Sequence, residues 1–258
     1  MITLNKLVNK LIKKEHKIYT VRDIDDIINP WNKDIILSQT YKFISKLRKN
    51  KTLIPIKNWL FYMQKDTETS ILLSDIITEN YWNIVHKIIA SHSKAWTFIW
   101  WKKSLELWIN DLYEPDKLII YTRNSPKKIK FNEYEVLFKK KNIASKRWFL
   151  NIINKNIINK KINNLDFNIA NRELSILEYL LISDSKNTLD YNVIKKFLKK
   201  YHKDLDRNIL WELVQYKYIS SINRLREISK QLWYKELYKD TLDIINMEWK
   251  WCFLSMKI

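Results

Sequence analysis

This chain of 258 residues contains no glycine and 12 tryptophans. Glycine supplies the backbone conformations with φ above zero, and the close approaches, that tight turns and helix ends demand. At the usual glycine share of about 7%, the odds of drawing none are on the order of one in a hundred million. Every turn must therefore be built from other residues. Several tryptophans stand where the local pattern asks for glycine. Asn58-Trp59 falls between two strand-like runs, Trp100-Trp101 opens a helical stretch, and Trp249 and Trp251 flank Lys250. The pattern points to a reassigned stop codon, read as glycine in the host and written here as tryptophan. The alternative is a tryptophan-rich protein under codon bias. Intact mass separates the two: protein from the native host that matches the written sequence overturns the reassignment.

Hydrophobic residues make up 46% of the chain, enough for a packed core and far from the disordered class. The net charge is +19, from 47 Lys and Arg against 28 Asp and Glu. Richness in Lys, Ile and Asn fits an AT-rich genome, which raises lysine without any functional cause. The acids are not raised to match, so a nucleic acid or an acidic protein is the expected partner. The basic residues do not gather on one amphipathic helix, which argues against a membrane surface. No apolar run approaches the roughly 20 residues of a membrane span. The first residues have no signal-peptide pattern. Cys252 is the single cysteine, so an internal disulfide is impossible and a cytoplasmic location is expected. His16, His86, His92 and His202 are scattered, and with one cysteine they give no zinc spacing. We expect no metal and no cofactor.

The first 65 residues read as one domain. Leu4, Leu7, Val8, Leu11 and Ile12 line one face of a helix. Thr20 with Asp23 resembles a capping box and opens a second helix, with Val21, Ile24, Ile27 and Ile28 inward and Pro30 at its end. A third helix is predicted from Asp34 to Lys49, with Leu37, Tyr41, Ile44 and Leu47 as its apolar stripe. Two short strands follow, Thr52 to Ile56 and Leu60 to Met63, around a turn at Lys57-Asn58-Trp59. With glycine at 59 that turn would be the strongest short hairpin signal.

Three helices followed by a β-hairpin is the order of a winged helix-turn-helix. The third helix would enter the major groove of double-stranded DNA. Ser38, Gln39, Lys42, Ser45, Lys46 and Lys49 fall on its polar side, and Lys57 and Asn58 stand on the hairpin turn. Gln and Ser can read base edges, while Lys holds phosphates. These eight residues are the candidate DNA-binding set.

Gln64 to Ser70 is polar and reads as a linker to a second domain over 71–258. Its first part, 71–145, mixes helix and strand. A helix is predicted over Asp75 to Ile89, a strand at Thr97 to Ile99, a helix from Lys102 to Trp108 and a strand over Lys117 to Thr122. Ile129 to Phe131 and Tyr134 to Phe138 pair across Asn132-Glu133, and a basic stretch from Lys139 to Arg147 closes the part. Asn151 to Asn164 is a low-complexity tract that reads as a mobile connection. The last part, 165–258, is helical, with segments at Leu174–Leu181, Tyr191–Tyr201, Leu205–Tyr218 and Ile222–Tyr234. The expected fold class is α+β.

Two arrangements invite an enzymatic reading. Asp116 before a strand, with Glu133 and Glu135 beyond it, resembles the acidic cluster of a metal-dependent nuclease. The place such a cluster reserves for lysine is held by Glu135. Ser91-His92-Ser93 sets hydroxyls beside a base, but neighbours on one element rarely meet in catalytic geometry. No phosphate loop can be assigned. We expect no enzyme.

The segment Arg48 to Tyr62, with Leu53-Ile54-Pro55-Ile56-Lys57-Asn58-Trp59-Leu60, resembles the wing of abortive-infection AbiEi-type antitoxins. In that family a basic helix end leads into Leu-Ile-x-Ile-x-x-Gly-Leu-Tyr. Ile99 to Leu107, then Pro115 to Thr122, resembles the start of the family's second domain. Glycine at 59, 100 and 101 would improve the match. The resemblance implies an antitoxin of a type IV toxin–antitoxin system. Such a protein represses its own operon through the winged helix and counteracts a nucleotidyltransferase-like toxin through the second domain. It has no catalytic residues. The competing readings are a winged-helix regulator without a toxin partner and, further off, the nuclease.

Overall fold

The computed structural model describes residues 3–14, 17–31, 38–64, 72–92, 96–140, 147–181 and 189–255. The start of the third helix at Asp34–Leu37, the linker at 65–70, Ser93 and the basic stretch at 141–146 lie outside the described residues. The fold is α+β, as expected, and the chain forms two units: Met1–Lys94 with Ile129–Val136, and Ala95–Lys128 with Leu137–Ile258.

In the first unit, α1 (Leu4–Lys13) buries Leu7 and Leu11 and is N-capped by the Thr3 hydroxyl. A short strand that alternation over three residues could not reveal, β1 (Ile18–Thr20), leads into α2 (Val21–Ile28). The capping box forms as read: the Asp23 N–H donates to Thr20 Oγ1 at 3.1 Å, and the Thr20 N–H to Asp23 Oδ2 at 2.7 Å. After α3 (Ser38–Lys49) come β2 (Leu53–Lys57) and β3 (Leu60–Met63). The sheet order is β1-β3-β2, antiparallel throughout, with Ile18 opposite Tyr62 and Leu53 opposite Met63. Its core holds Leu7, Leu11, Tyr19, Ile24, Ile44, Leu47, Phe61 and Met63. The Tyr19 hydroxyl donates to the Leu11 carbonyl at 2.7 Å and ties α1 to the sheet.

The single helix expected over Asp75 to Ile89 is two: α4 (Leu73–Glu79) and α5 (Tyr81–His92). Asn80 breaks it by turning its side-chain amide back onto the Ile76 carbonyl at 2.9 Å, competing with the helix ladder. Helix α5 packs on β1. Tyr81 meets Phe131 and Tyr134, with ring centroids 5.9 and 5.0 Å apart. The first unit therefore runs to residue 94, where the sequence set a division at 65–71. Helix α5 thus lies in the same unit as β1.

The larger sheet has the order β6-β7-β5-β4-β9-β8. Its strands are β4 (Thr97–Ile99), β5 (Lys117–Thr122), β6 (Lys127–Phe131), β7 (Tyr134–Lys140), β8 (Ile157–Ile162) and β9 (Leu165–Ala170), with α6 (Lys102–Trp108) after β4 and α7 (Arg147–Lys155) before β8. Strand β4 pairs antiparallel with β5 and parallel with β9. The tract expected to be a mobile connection instead ends α7 and forms β8. Asn163 and Asn164, at φ 49° and 62°, make the tight turn into β9. Asparagine tolerates that region, so a tract of low complexity encodes a hairpin.

Five helices complete the second unit: α8 (Arg172–Leu181), α9 (Tyr191–Tyr201), α10 (Arg207–Leu213), α11 (Ile219–Gln231) and α12 (Lys235–Ser255). A π-helical turn, Val214–Tyr218, joins α10 to α11. Every residue of α8 from Glu173 to Leu180 is buried, and α6, α10 and α11 pack on it. Glu178 is fully buried there; it accepts the Trp100 indole N–H at 2.8 Å and the Tyr218 hydroxyl. Burial, then the Glu178 charge, push the Tyr218 hydroxyl far above its ordinary range.

Candidate nucleic-acid interface

Helix α3 turns Thr40, Ile44 and Leu47 inward, with Phe43 half-buried beside them. The Thr40 hydroxyl donates to Asp25 Oδ1 at 2.5 Å, and both side chains are out of solvent. This buried polar pair fixes α3 against α2. It also sets the rotation of α3. Tyr41, expected in the apolar stripe, stands 55% exposed, about 100° round the helix from Thr40. The sequence pattern could not reveal this, because Thr40 is polar and its partner is fifteen residues away.

The outward face carries the candidate set. Ser38, Lys42, Ser45, Lys46 and Lys49 are exposed and Gln39 is half-buried. Arg48, absent from the candidate set, is exposed too and lines a groove with Ser45, Lys49 and Pro55 of β2. The signal for it was available: 41, 45 and 48 share one line of the helix. The α3 sequence contains four basic residues and no acid, so nothing on the helix neutralises that face.

The hairpin is built differently from the expectation. Neither Asn58 nor Trp59 takes a positive φ among the described residues, so the two-residue turn is not the Asn-Gly type. The register instead slips between Pro55 and Lys57, where Lys57 pairs with Leu60. That bulge absorbs the twist that a primed turn would supply. Trp59 is half-buried against the core, and its carbonyl accepts the Val21 N–H at 3.0 Å. Asn58 is exposed at the tip. Lys57 is half-buried, and its ammonium is tied to the Lys130 carbonyl at 2.6 Å. Lys57 is thus held by β6.

Behind α2, Asp23 pairs with Lys87 of α5 at 2.9 Å. Burial raises the Asp23 carboxyl, but the Thr20 N–H and the Lys87 ammonium outweigh it and hold the group below its ordinary value.

Asp116 and Glu133 are exposed and Glu135 half-buried, and no group of three His, Cys, Asp or Glu suits a metal among the described residues. The Ser91 hydroxyl donates to the Ile88 carbonyl at 2.9 Å within its own helix. No helix among the described residues is long and apolar enough to cross a membrane.

No family model matches the chain, and no curated protein does. Among solved structures, the chain is similar in fold to the RV2827C protein from Mycobacterium tuberculosis. The TM-score is 0.60 at 12% identity, over 94% of this chain and 80% of that one. At that identity the likeness concerns the fold alone.

Proposed function

We propose that this chain is a DNA-binding antitoxin that represses its own operon and counteracts a nucleotidyltransferase-like toxin. The DNA-binding half rests on one observation: α3 presents Ser38, Gln39, Lys42, Ser45, Lys46 and Lys49 outward with no acid among them. The order of helices and hairpin around it fits a winged helix docked through α3. The toxin-directed half rests on the resemblance to AbiEi-type antitoxins. A regulator without a toxin would share the first unit entirely, so only a toxin assay divides the two readings.

The test uses the full chain and DNA from upstream of its own gene. Changing Lys42 and Lys46 together to Ala should weaken binding to every duplex and lower the salt slope by about two, one per lost phosphate contact. Gln39→Ala should change which sequence is preferred. Co-expressed with the toxin from the neighbouring gene, the double-lysine variant should still protect cells. An unchanged salt slope removes α3 as the docking helix. Protection lost together with DNA binding means that repression alone protects.

A further inference from the structure

Far along the chain from α3, four elements of the second unit bring three cations together over two aromatic rings. Lys160 of β8 lies 5.0 Å from the Trp108 ring centroid, and the Arg172 guanidinium, at the start of α8, 5.1 Å from it. Arg172 also stacks 4.5 Å from the Tyr201 ring, and Lys200 lies 5.0 Å from that ring. The two rings meet edge to face at 5.8 Å. Part of this arrangement is structural. Lys160 donates to the Leu107 carbonyl at 2.6 Å and Lys200 to the Trp108 carbonyl at 3.4 Å, so both lysines close the C-terminal end of α6.

That role leaves charge over. A helix end supplies about half a negative charge. Among the described residues the carboxylate paired with the group is Asp204, 3.6 Å from Arg172 and itself 55% exposed. The Arg172 Nε–H is buried and has no hydrogen-bond partner. Burial, then Lys200 and Arg172, hold the Lys160 ammonium below its ordinary value, so the cations repel one another as they stand. An anion placed among them would relieve the repulsion and give the guanidinium an acceptor. We propose that Lys160, Arg172 and Lys200 form a phosphate-binding site on the second unit. Three converging donors, one of them an arginine fork, suit the oxygens of a phosphate group.

Calorimetric titration of the full chain at fixed ionic strength tests this, with inorganic phosphate, adenosine monophosphate and a scrambled DNA duplex as probes. Saturable binding of one phosphate per chain is expected. Arg172→Gln and Lys200→Gln should each weaken it about tenfold, the loss of one charged hydrogen bond. Lys200 is exposed, so its variant keeps the fold if Lys160→Met does not. The Lys42→Ala, Lys46→Ala variant should bind phosphate as before. Equal binding of phosphate and the monophosphate identifies a small phosphorylated ligand. Binding of the duplex alone, with a salt slope reduced in Arg172→Gln and Lys200→Gln, identifies a nucleic-acid backbone. No saturable binding of any probe, or binding indifferent to both substitutions, overturns the proposal and leaves the cluster as a helix cap.

Discussion

Among the described residues, three helix ends are closed by the same pair of hydrogen bonds, with three different residues at the position that favours glycine. After α3, Lys51 (φ 57°) donates to the Arg48 carbonyl and Thr52 to Leu47. After α6, Asn110 (φ 60°) donates to Leu107 and Asp111 to Glu106. After α11, Trp233 (φ 60°) donates to Lys230 and Tyr234 to Ser229. This is the Schellman arrangement. Trp233 is 81% exposed and has little packing to lose. Trp233→Gly should therefore stabilise the chain by about 1 kcal/mol, the cost of a side chain in the left-handed region, read as a raised urea midpoint. Trp101 is held more tightly, at φ 61° and ψ −140°, a region that is nearly glycine's alone. Its indole N–H is buried without a partner. Trp101→Gly should be more stable than Trp101→Ala by about 1 to 2 kcal/mol, the reverse of the usual order in a regular element. Equal stability of the two would show that backbone strain at 101 is negligible. Trp100 behaves oppositely. Its ring packs 4.1 Å from that of Tyr121 and its N–H serves buried Glu178, so Trp100→Gly should cost about 4 kcal/mol or more in cavity and lost donor. Sequence position marked Trp100 and Trp101 alike; only the backbone angles separate them. Trp101 and Trp233 are the positions that most favour a glycine codon in the host.

At the scale of elements, apolar spacing within an element was legible and chemistry between elements was not. Helices α1, α2, α6, α8 and α9 and strands β2 to β7 stand close to where the pattern put them. Helix α12 falls in the part read as helical but was given no bounds, although Leu237, Thr241, Ile244 and Ile245 line its buried side. Strands β8 and β9 were hidden by asparagine. In the candidate interface, the outward residues of α3 were legible from spacing, while the Thr40–Asp25 pair that sets its rotation was not. Disrupting that pair supplies a test of the element. Thr40→Val removes a donor from a buried carboxylate and should cost about 2 kcal/mol, and under the proposed function, by loosening α3, it should weaken DNA binding without touching a candidate side chain. Unchanged affinity would mean that the hairpin alone orients the helix. The start of α2 has its own signature. A carboxyl lowered on folding, as Asp23 is, contributes stability that is complete above its unfolded value of about 3.9 and is lost as pH falls through the lower folded value. Hydrogen exchange at the first turn of α2 should therefore quicken as pH drops below about 4, beyond its intrinsic pH dependence. Asp23→Asn should show the faster exchange already at pH 7 and no further acceleration in that window.

The chain as a whole crosses between its two units more than once, since Ile129–Val136 returns to the first unit. A division at residues 65 to 71, which polar composition suggests, falls inside the first unit. It strips α4 and α5 from the sheet that α5 covers, and it separates Asp23 from Lys87. Residues 1–65 alone would expose the face of β1 that α5 packs on. A fragment of 72–258 would lose the cover that β1 gives α5, although Tyr81 would keep Phe131 and Tyr134. Small domains bury too little surface to spare such a face. Both fragments should melt well below the full chain and bind a hydrophobic dye, whereas a full chain cleaved only within residues 65–71 should hold together, since its contacts survive the cut. A fragment of 72–258 with the melting temperature of the intact protein would show that α5 owes its stability to the second unit, and would restore the boundary that the sequence suggests.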